Sequence, residues 1–165
     1  MNLRIGLDID GTIANFDKHY YNRFNKYPSE SIDWAVTRNV NYILKYDKSF
    51  WLTIPVLRKP NFIPTCYCSV RVNNSRWTKD FLKRNNFPDA KLYQLKGGWG
   101  TSKYNILKNK VDVFIDDSIW NFEDLNSKGV KCLLITTESN KSYNTPYRIN
   151  SLDINEINSV LNYEN

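Results

Sequence analysis

The chain has 165 residues, enough for one sizeable core, and 41% of them are apolar, as in a globular protein. No run approaches the roughly 18 apolar residues of a membrane span, and the N-terminus enters a strand instead of a signal peptide, so a cytoplasmic location without a membrane partner is expected. The net charge of +6 favours anionic partners, phosphates and nucleic acid alike, yet Lys and Arg are spread along the chain, so charge alone does not establish nucleic-acid binding.

LRIGLDI, residues 3 to 9, predicts a first strand whose nearly continuous apolar character suits a parallel sheet covered on both faces. It runs into LDIDGT, where Asp8 and Asp10 stand two positions apart and project to one side if the extended conformation lasts that far. Two like charges held so close call for a bound cation or for a proton kept on one of them. Gly11 suits a tight turn or a close backbone approach, and Thr12 adds a hydroxyl. Taken alone, the stretch also reads as a solvated strand end with an ordinary turn.

Residues 15 to 27 carry Phe16, Tyr20, Phe24 and Tyr27 at helical spacing before Pro28, and residues 31 to 46 carry Ile32, Val36, Val40 and Leu44 on one stripe. FWLTIPVLRKPNF follows, with Phe50 and Trp51 placed either in the core or as a lid over a substrate. The next buried strand is IPTCYCS, 63 to 69. More than fifty residues separate it from the first strand, where a simple crossover needs about a dozen. Residues 15–60 therefore read as a small helical cap inserted into a core domain of 1–14 and 61–165.

Beyond Ser69, residues 75 to 86 predict a helix with Trp77, Phe81 and Leu82 inward, and KLYQL a short strand. GGWG, 97 to 100, lacks the spacing of a phosphate loop and reads as a connection. Then come a short helix over 101 to 109, the strand VDVFI (111 to 115), a helix over 119 to 128 closed by Gly129, and the strand VKCLLIT. After Asn140 the chain is Asn-rich and polar, until a last helix over 154 to 163 opens with Asp153 and Glu156 at capping-box spacing. Cys66, Cys68 and Cys132 lie in apolar strands and read as inert core thiols, not as disulfide or metal ligands. His19, the single histidine, reads as a surface residue.

Strands alternating with helices predict an α/β fold, a Rossmann-like parallel sheet with helices on both faces. Ligands of such sheets bind beyond the carboxyl ends of the strands. Asp8, Asp10, Ser69, Lys103, Asp116 and Asp117 all fall at or beside those ends. Singly, Ser69 is a turn residue, Lys103 a solvated helix residue, and Asp116 and Asp117 a helix cap with Ser118. Together, four carboxylates, a lysine and a hydroxyl are what phosphoryl transfer through an aspartyl phosphate requires. Carboxylates from two strands suit Mg²⁺, which shares its coordination with water and substrate phosphate. Lys103 is expected to offset charge developing between phosphate and attacking carboxylate, and Ser69 to hold a phosphate oxygen.

In order and spacing, LDIDGT, the Ser69 of CYCSVR, the Lys103 of GTSK and FIDDS resemble the four motifs of the haloacid dehalogenase superfamily of phosphatases. From FWLTIP onward the chain is similar to the C-type 5′-nucleotidases, which include the 5′(3′)-deoxyribonucleotidases. The resemblance implies that Asp8 attacks phosphorus while Asp10 protonates the leaving alkoxide and later activates water. It implies that Mg²⁺ is held by Asp8, the Asp10 carbonyl, Asp116 and Asp117. Ser69 and Lys103 would bind the phosphoryl group, with Arg71 assisting where the second motif reads SVRV instead of the Thr and Arg-Pro of many relatives. The implied substrate is a phosphomonoester, first a nucleoside monophosphate. Phosphate-ended DNA or RNA comes second, with Arg76, Lys79, Lys83 and Arg84 as surface cations. A non-catalytic nucleotide-binding module on the same fold is the third reading, against which the retained Asp10 argues.

Overall fold

The computed structural model describes residues 3–28, 34–97 and 100–162, except for the side chains of 34–36. Its strands are β1 (Ile5–Leu7), β2 (Cys66–Val70), β3 (Lys91–Leu95), β4 (Val113–Asp116), β5 (Cys132–Ile135) and β6 (Arg148–Ile149). They form one sheet in the order β3-β2-β1-β4-β5-β6, parallel throughout. The described helices are α1 (Phe16–Phe24), α2 (Trp34–Tyr46), α3 (Lys48–Leu52), α4 (Ser75–Arg84), α5 (Tyr104–Leu107), α6 (Ile119–Ser127) and α7 (Ile154–Asn162). The fold is α/β and Rossmann-like. Chain order reverses at β1 and β4, which places the crevice of such a sheet beyond their carboxyl ends.

Alternation along the strands divides the core between the two faces. Ile5, Leu7, Tyr67, Ile115 and Leu133 pack with Phe81 of α4, Ile157 of α7, and Phe50 and Trp51 of α3. Cys66, Cys68, Phe114, Cys132 and Leu134 pack with Leu107 of α5 and with Phe122 and Leu125 of α6. Gly6 lets this second layer close, because a Cβ there would fall 2.8 Å from Phe114 Cδ2 and 2.9 Å from Val111 Cγ1. The three cysteines are buried free thiols, and burial pushes Cys66 up to about 11 and Cys68 up to about 12. Burial raises Cys132 as well, which keeps the thiols in the protonated form.

The segment over 15–60 is pinned to the sheet end. Asn15 N–H donates to the Pro55 carbonyl at 2.8 Å and Leu57 N–H to that of Ile13 at 2.8 Å. Phe16, Tyr20, Val40, Phe50 and Trp51 belong to the same apolar cluster as the strand residues. Lys48 of α3 pairs with Asp80 of α4 at 3.0 Å.

Several boundaries differ from the sequence reading. α1 stops at Phe24 because Asn25 turns left-handed, φ 56°, and donates its N–H to the Tyr21 carbonyl. Tyr27 thus lies past the helix and is exposed. On α2, Val40 and Ile43 are buried and Leu44 partly so, while the Ile32 and Val36 side chains lie outside the described residues, as do Gly98, Trp99 and residue 163. β6 lies in the stretch read as a polar tail. The capping box does not form. Glu156 instead accepts from Asn150 N–H at 2.7 Å and Ser151 N–H at 3.0 Å, because the turn out of β6 presents those donors. Among the described residues no helix is long and apolar enough to cross a membrane.

Candidate active site

Parallel pairing sets Leu7 beside Ile115, so Asp8 and Asp116 leave their strands side by side, and Asp8 N–H donates to the Ile115 carbonyl at 2.9 Å. Lys103, at the N-cap of α5, reaches into this gap. Its Nζ donates to Asp8 Oδ1 and, at 2.7 Å, to Asp116 Oδ2. All three side chains are buried. Burial alone would lower the lysine, but the charges of Asp116 and Asp8 hold its pKa above the ordinary value, so it stays an ammonium. Burial raises the Asp8 carboxyl to about 7, Lys103 opposing while Asp116 and Asp10 add to the rise. Asp116 is held on both oxygens. Oδ2 accepts from Lys103, and Oδ1 accepts from Ser118 N–H at 2.9 Å and Asn121 Nδ2 at 3.1 Å.

Asp117 completes the carboxylate group. Ligand-capable oxygens of Asp8, Asp116 and Asp117 lie within 4.8 Å of one another. Gly11, at φ +80°, makes room for it: a Cβ there would fall 2.0 Å from Asp117 Oδ2. Burial, then the charges of Asp116 and Asp8, push the Asp117 carboxyl well above its ordinary range against the pull of Lys103. Lys103 thus bonds two of the three carboxylates, and Asp117 feels both its charge and that of Arg58. Hard oxygen donors in this excess of negative charge fit a small divalent cation such as Mg²⁺.

Asp10 is not part of that group. Strand pairing ends at Leu7, so the alternation that would align Asp10 with Asp8 does not persist. Its carboxylate is taken instead by Arg71, with Nε 2.7 Å from Oδ2 and Nη2 2.6 Å from Oδ1. The two acids of LDIDGT thus have separate cations, Lys103 and Arg71. The Arg71 side chain is 1% exposed against 22% for Asp10, so the expectation that Arg71 is a free phosphate ligand gives way to a buried pairing partner.

Ser69 is buried on β2, level with Gln94 of β3. Phe50 and Trp51 are each 3% exposed and lie in the core, so neither offers an open face for stacking on a substrate in this conformation. Trp51 stacks on Phe16, with centroids 5.7 Å apart and planes at 19°, and its Nε1 donates to the Leu44 carbonyl at 2.8 Å. His19 is half-buried and not merely a surface residue. Its Nε2 donates to the Phe50 carbonyl at 2.9 Å, tying α1 to α3.

Three neighbours of the site escaped the sequence reading. Arg58 donates to the carbonyls of Gly11 and Thr12 at 3.2 Å each and to that of Thr136 at 2.6 Å, bracing the LDIDGT loop against the end of β5. Asn121 holds Asp116, and its place one turn into α6 after FIDDS was the available signal. Asn140 donates to the Asp117 carbonyl at 2.7 Å. Among the described residues, the buried side-chain atoms without a partner are Thr12 Oγ1 and Asn73 Nδ2, on the loops that follow Asp10 and Arg71. In comparisons with known proteins, no family model and no curated protein matches the chain.

Proposed function

We propose that this protein is a Mg²⁺-dependent phosphomonoester hydrolase of the haloacid dehalogenase type that works through an aspartyl phosphate, with nucleoside monophosphates as its first candidate substrates. The observation that carries this reading is the buried Lys103 ammonium between Asp8 and Asp116, with Asp117 beside them, at the carboxyl ends of β1 and β4. A purely structural ion pair does not need a third carboxylate brought within ligand distance of the first two.

In the proposed reaction, the Asp8 oxygen not bonded to Lys103 attacks phosphorus, and the bond to the leaving oxygen breaks. In its protonated form Asp10 gives that oxygen a proton. In the second half, Asp10 takes a proton from water, the hydroxide oxygen attacks phosphorus, and Asp8 is released with inorganic phosphate. Lys103 stabilises negative charge spreading over the transferred group and keeps Asp8 oriented. Asp8, Asp116 and Asp117 would hold the cation, each offering one oxygen of the carboxylate group. When bound, the cation supplies charge neutralisation for the phosphoryl oxygens. Ser69, buried at the end of β2, is the candidate hydroxyl for a phosphate oxygen.

One observation favours a second reading, removal of phosphate from nucleic-acid ends. On α2, Tyr42 and Tyr46 are exposed with centroids 5.0 Å apart, Lys45 lies over Tyr46, and Arg38 lines the same surface depression. Aromatic and cationic side chains together suit single-stranded nucleic acid.

The test is phosphate release from 5′ and 3′ mononucleotides, sugar phosphates and phosphate-ended oligonucleotides, with Mg²⁺ or with excess chelator, at low and moderate salt. Mg²⁺-dependent turnover of mononucleotides is expected. A preference for oligonucleotides that collapses as salt rises would promote the second reading, and turnover of none would remove the phosphatase reading.

A further inference from the structure

We infer that Arg58 gives the carboxylate group a second fixed positive charge, so that the site holds a divalent cation less tightly by itself and a phosphate dianion more tightly once the cation is in place; the inference rests on the phosphatase reading above. Arg58 reaches the site from the segment that leads out of the insertion. Its Nη1 donates to the Gly11 and Thr12 carbonyls at 3.2 Å each, and its Nη2 to the Thr136 carbonyl at 2.6 Å. Gly11 and Thr12 lie on the loop after β1, and Thr136 directly follows β5. The sheet order sets β4 between these two strands. The guanidinium therefore spans the carboxyl end of β4, from which Asp116 and Asp117 emerge.

Gly11 brings the two charges together. Its carbonyl accepts from Arg58, and Asp117 Oδ2 lies 2.0 Å from where its Cβ would sit. The Asp117 charge acts on Arg58 and opposes the lowering of its pKa by burial, and a guanidinium stays protonated in either case. The same frame holds both. Arg148 Nη1 donates to Thr136 Oγ1 at 3.2 Å and to Asn140 Oδ1 at 3.0 Å, and Asn140 Nδ2 donates to the Asp117 carbonyl at 2.7 Å. Arg71 spends its charge on Asp10. Arg58 differs, because among the described residues its bonds go to backbone carbonyls, which leaves its charge to act on the group beside it. With a divalent cation bound, Asp8, Asp116 and Asp117 are ionised and are balanced by that cation and Lys103. Arg58 then leaves the site net positive. It repels the cation and attracts the dianion that follows.

The test needs no turnover. The rise in Tm with ligand concentration yields dissociation constants for Mg²⁺ alone and for inorganic phosphate at saturating Mg²⁺, measured at constant ionic strength and at a pH above the Asp8 value of about 7. For Arg58→Gln, which keeps a donor and loses the charge, Mg²⁺ alone is expected to bind about three- to tenfold more tightly and phosphate about three- to tenfold more weakly, as for one charge partly screened by solvent. Structural loosening cannot produce opposite signs, since a disordered loop weakens both ligands. Arg58→Lys keeps the charge without the fork and is expected to stay within about twofold of wild type for both. Weakening of both ligands in Arg58→Gln, a change in neither, or Arg58→Lys behaving like Arg58→Gln would overturn the inference. Should Arg58→Gln not fold, Arg58→Lys decides: affinities near wild type support the charge, and loss of both overturns it. A wild type whose Tm responds to neither ligand, and which turns over no phosphomonoester, would remove the phosphatase reading and this inference with it. A wild type that responds, with Arg58→Gln unchanged, would remove the inference alone.

Discussion

The Asp117 carboxylate occupies the space that Gly11 leaves open, with Oδ2 2.0 Å from where a Gly11 Cβ would sit. Two demands meet at Gly11, a positive φ of 80° and this contact, and no L side chain satisfies both. Gly11→Ala is expected to cost at least about 1 to 2 kcal/mol from the backbone alone, and to push Asp117 out of the carboxylate group. Calorimetry with and without Mg²⁺ checks this. The variant should lose most of the cation-induced rise in Tm, and an unchanged rise would mean that Asp117 is not a ligand.

Lys103→Met removes the charge but keeps much of the bulk. It leaves Asp8 and Asp116 buried without a counter-charge, and breaking a buried pair in this way costs about 3 to 5 kcal/mol. Urea unfolding measures the loss. Added Mg²⁺ should then stabilise the variant more than the wild type, because it meets a larger uncompensated negative charge, and phosphate release should fall in kcat more than KM rises. A loss under about 1 kcal/mol would mean that the pairs contribute little to the fold.

Phe50 distinguishes core from lid. Buried among Phe16, His19, Phe24 and Trp51, it should behave as a core aromatic, with Phe50→Ala costing about 3 to 5 kcal/mol. In whatever fraction stays folded, KM for a nucleotide and for p-nitrophenyl phosphate should change together. A rise confined to the nucleotide would restore the lid.

The LDIDGT and FIDDS ends were legible because each closes an apolar run, and parallel pairing of those runs brings Asp8 and Asp116 together without further information. Lys103 was legible from its place just ahead of the strand that supplies Asp116. The partner of Asp10 was not. Alternation predicts only as far as the strand extends, and pairing stops one residue before Asp8. The Arg71 grip joins residues 61 apart in the chain, so no local period announces it. β6 escaped for a related reason: two residues paired with β5 present no alternation to read. The role of Phe50 and Trp51 turned on burial, which aromatic composition alone does not reveal.

The docking of α3 is expected to depend on pH through His19, whose ring bonds the Phe50 carbonyl. Burial lowers its pKa, and its bond to the Phe50 carbonyl only partly opposes this. Folding therefore disfavours the protonated ring, so its contribution is whole above the unfolded value of about 6.5 and is lost as pH falls through the lower folded value. The Tm advantage of wild type over His19→Gln should shrink between about pH 7.5 and pH 5. A constant difference would mean that the ring titrates as freely in the folded chain as in the unfolded one.

The most direct measurement of the central claim is a rapid acid quench of the protein during turnover of a phosphomonoester with Mg²⁺, followed by peptide mass spectrometry. The account predicts a hydroxylamine-labile phosphoryl adduct on Asp8 that forms only with the cation and is absent from Asp8→Asn, which should be inactive yet folded. Turnover by Asp8→Asn within about tenfold of wild type, or an adduct on any other residue, would contradict nucleophilic attack by Asp8.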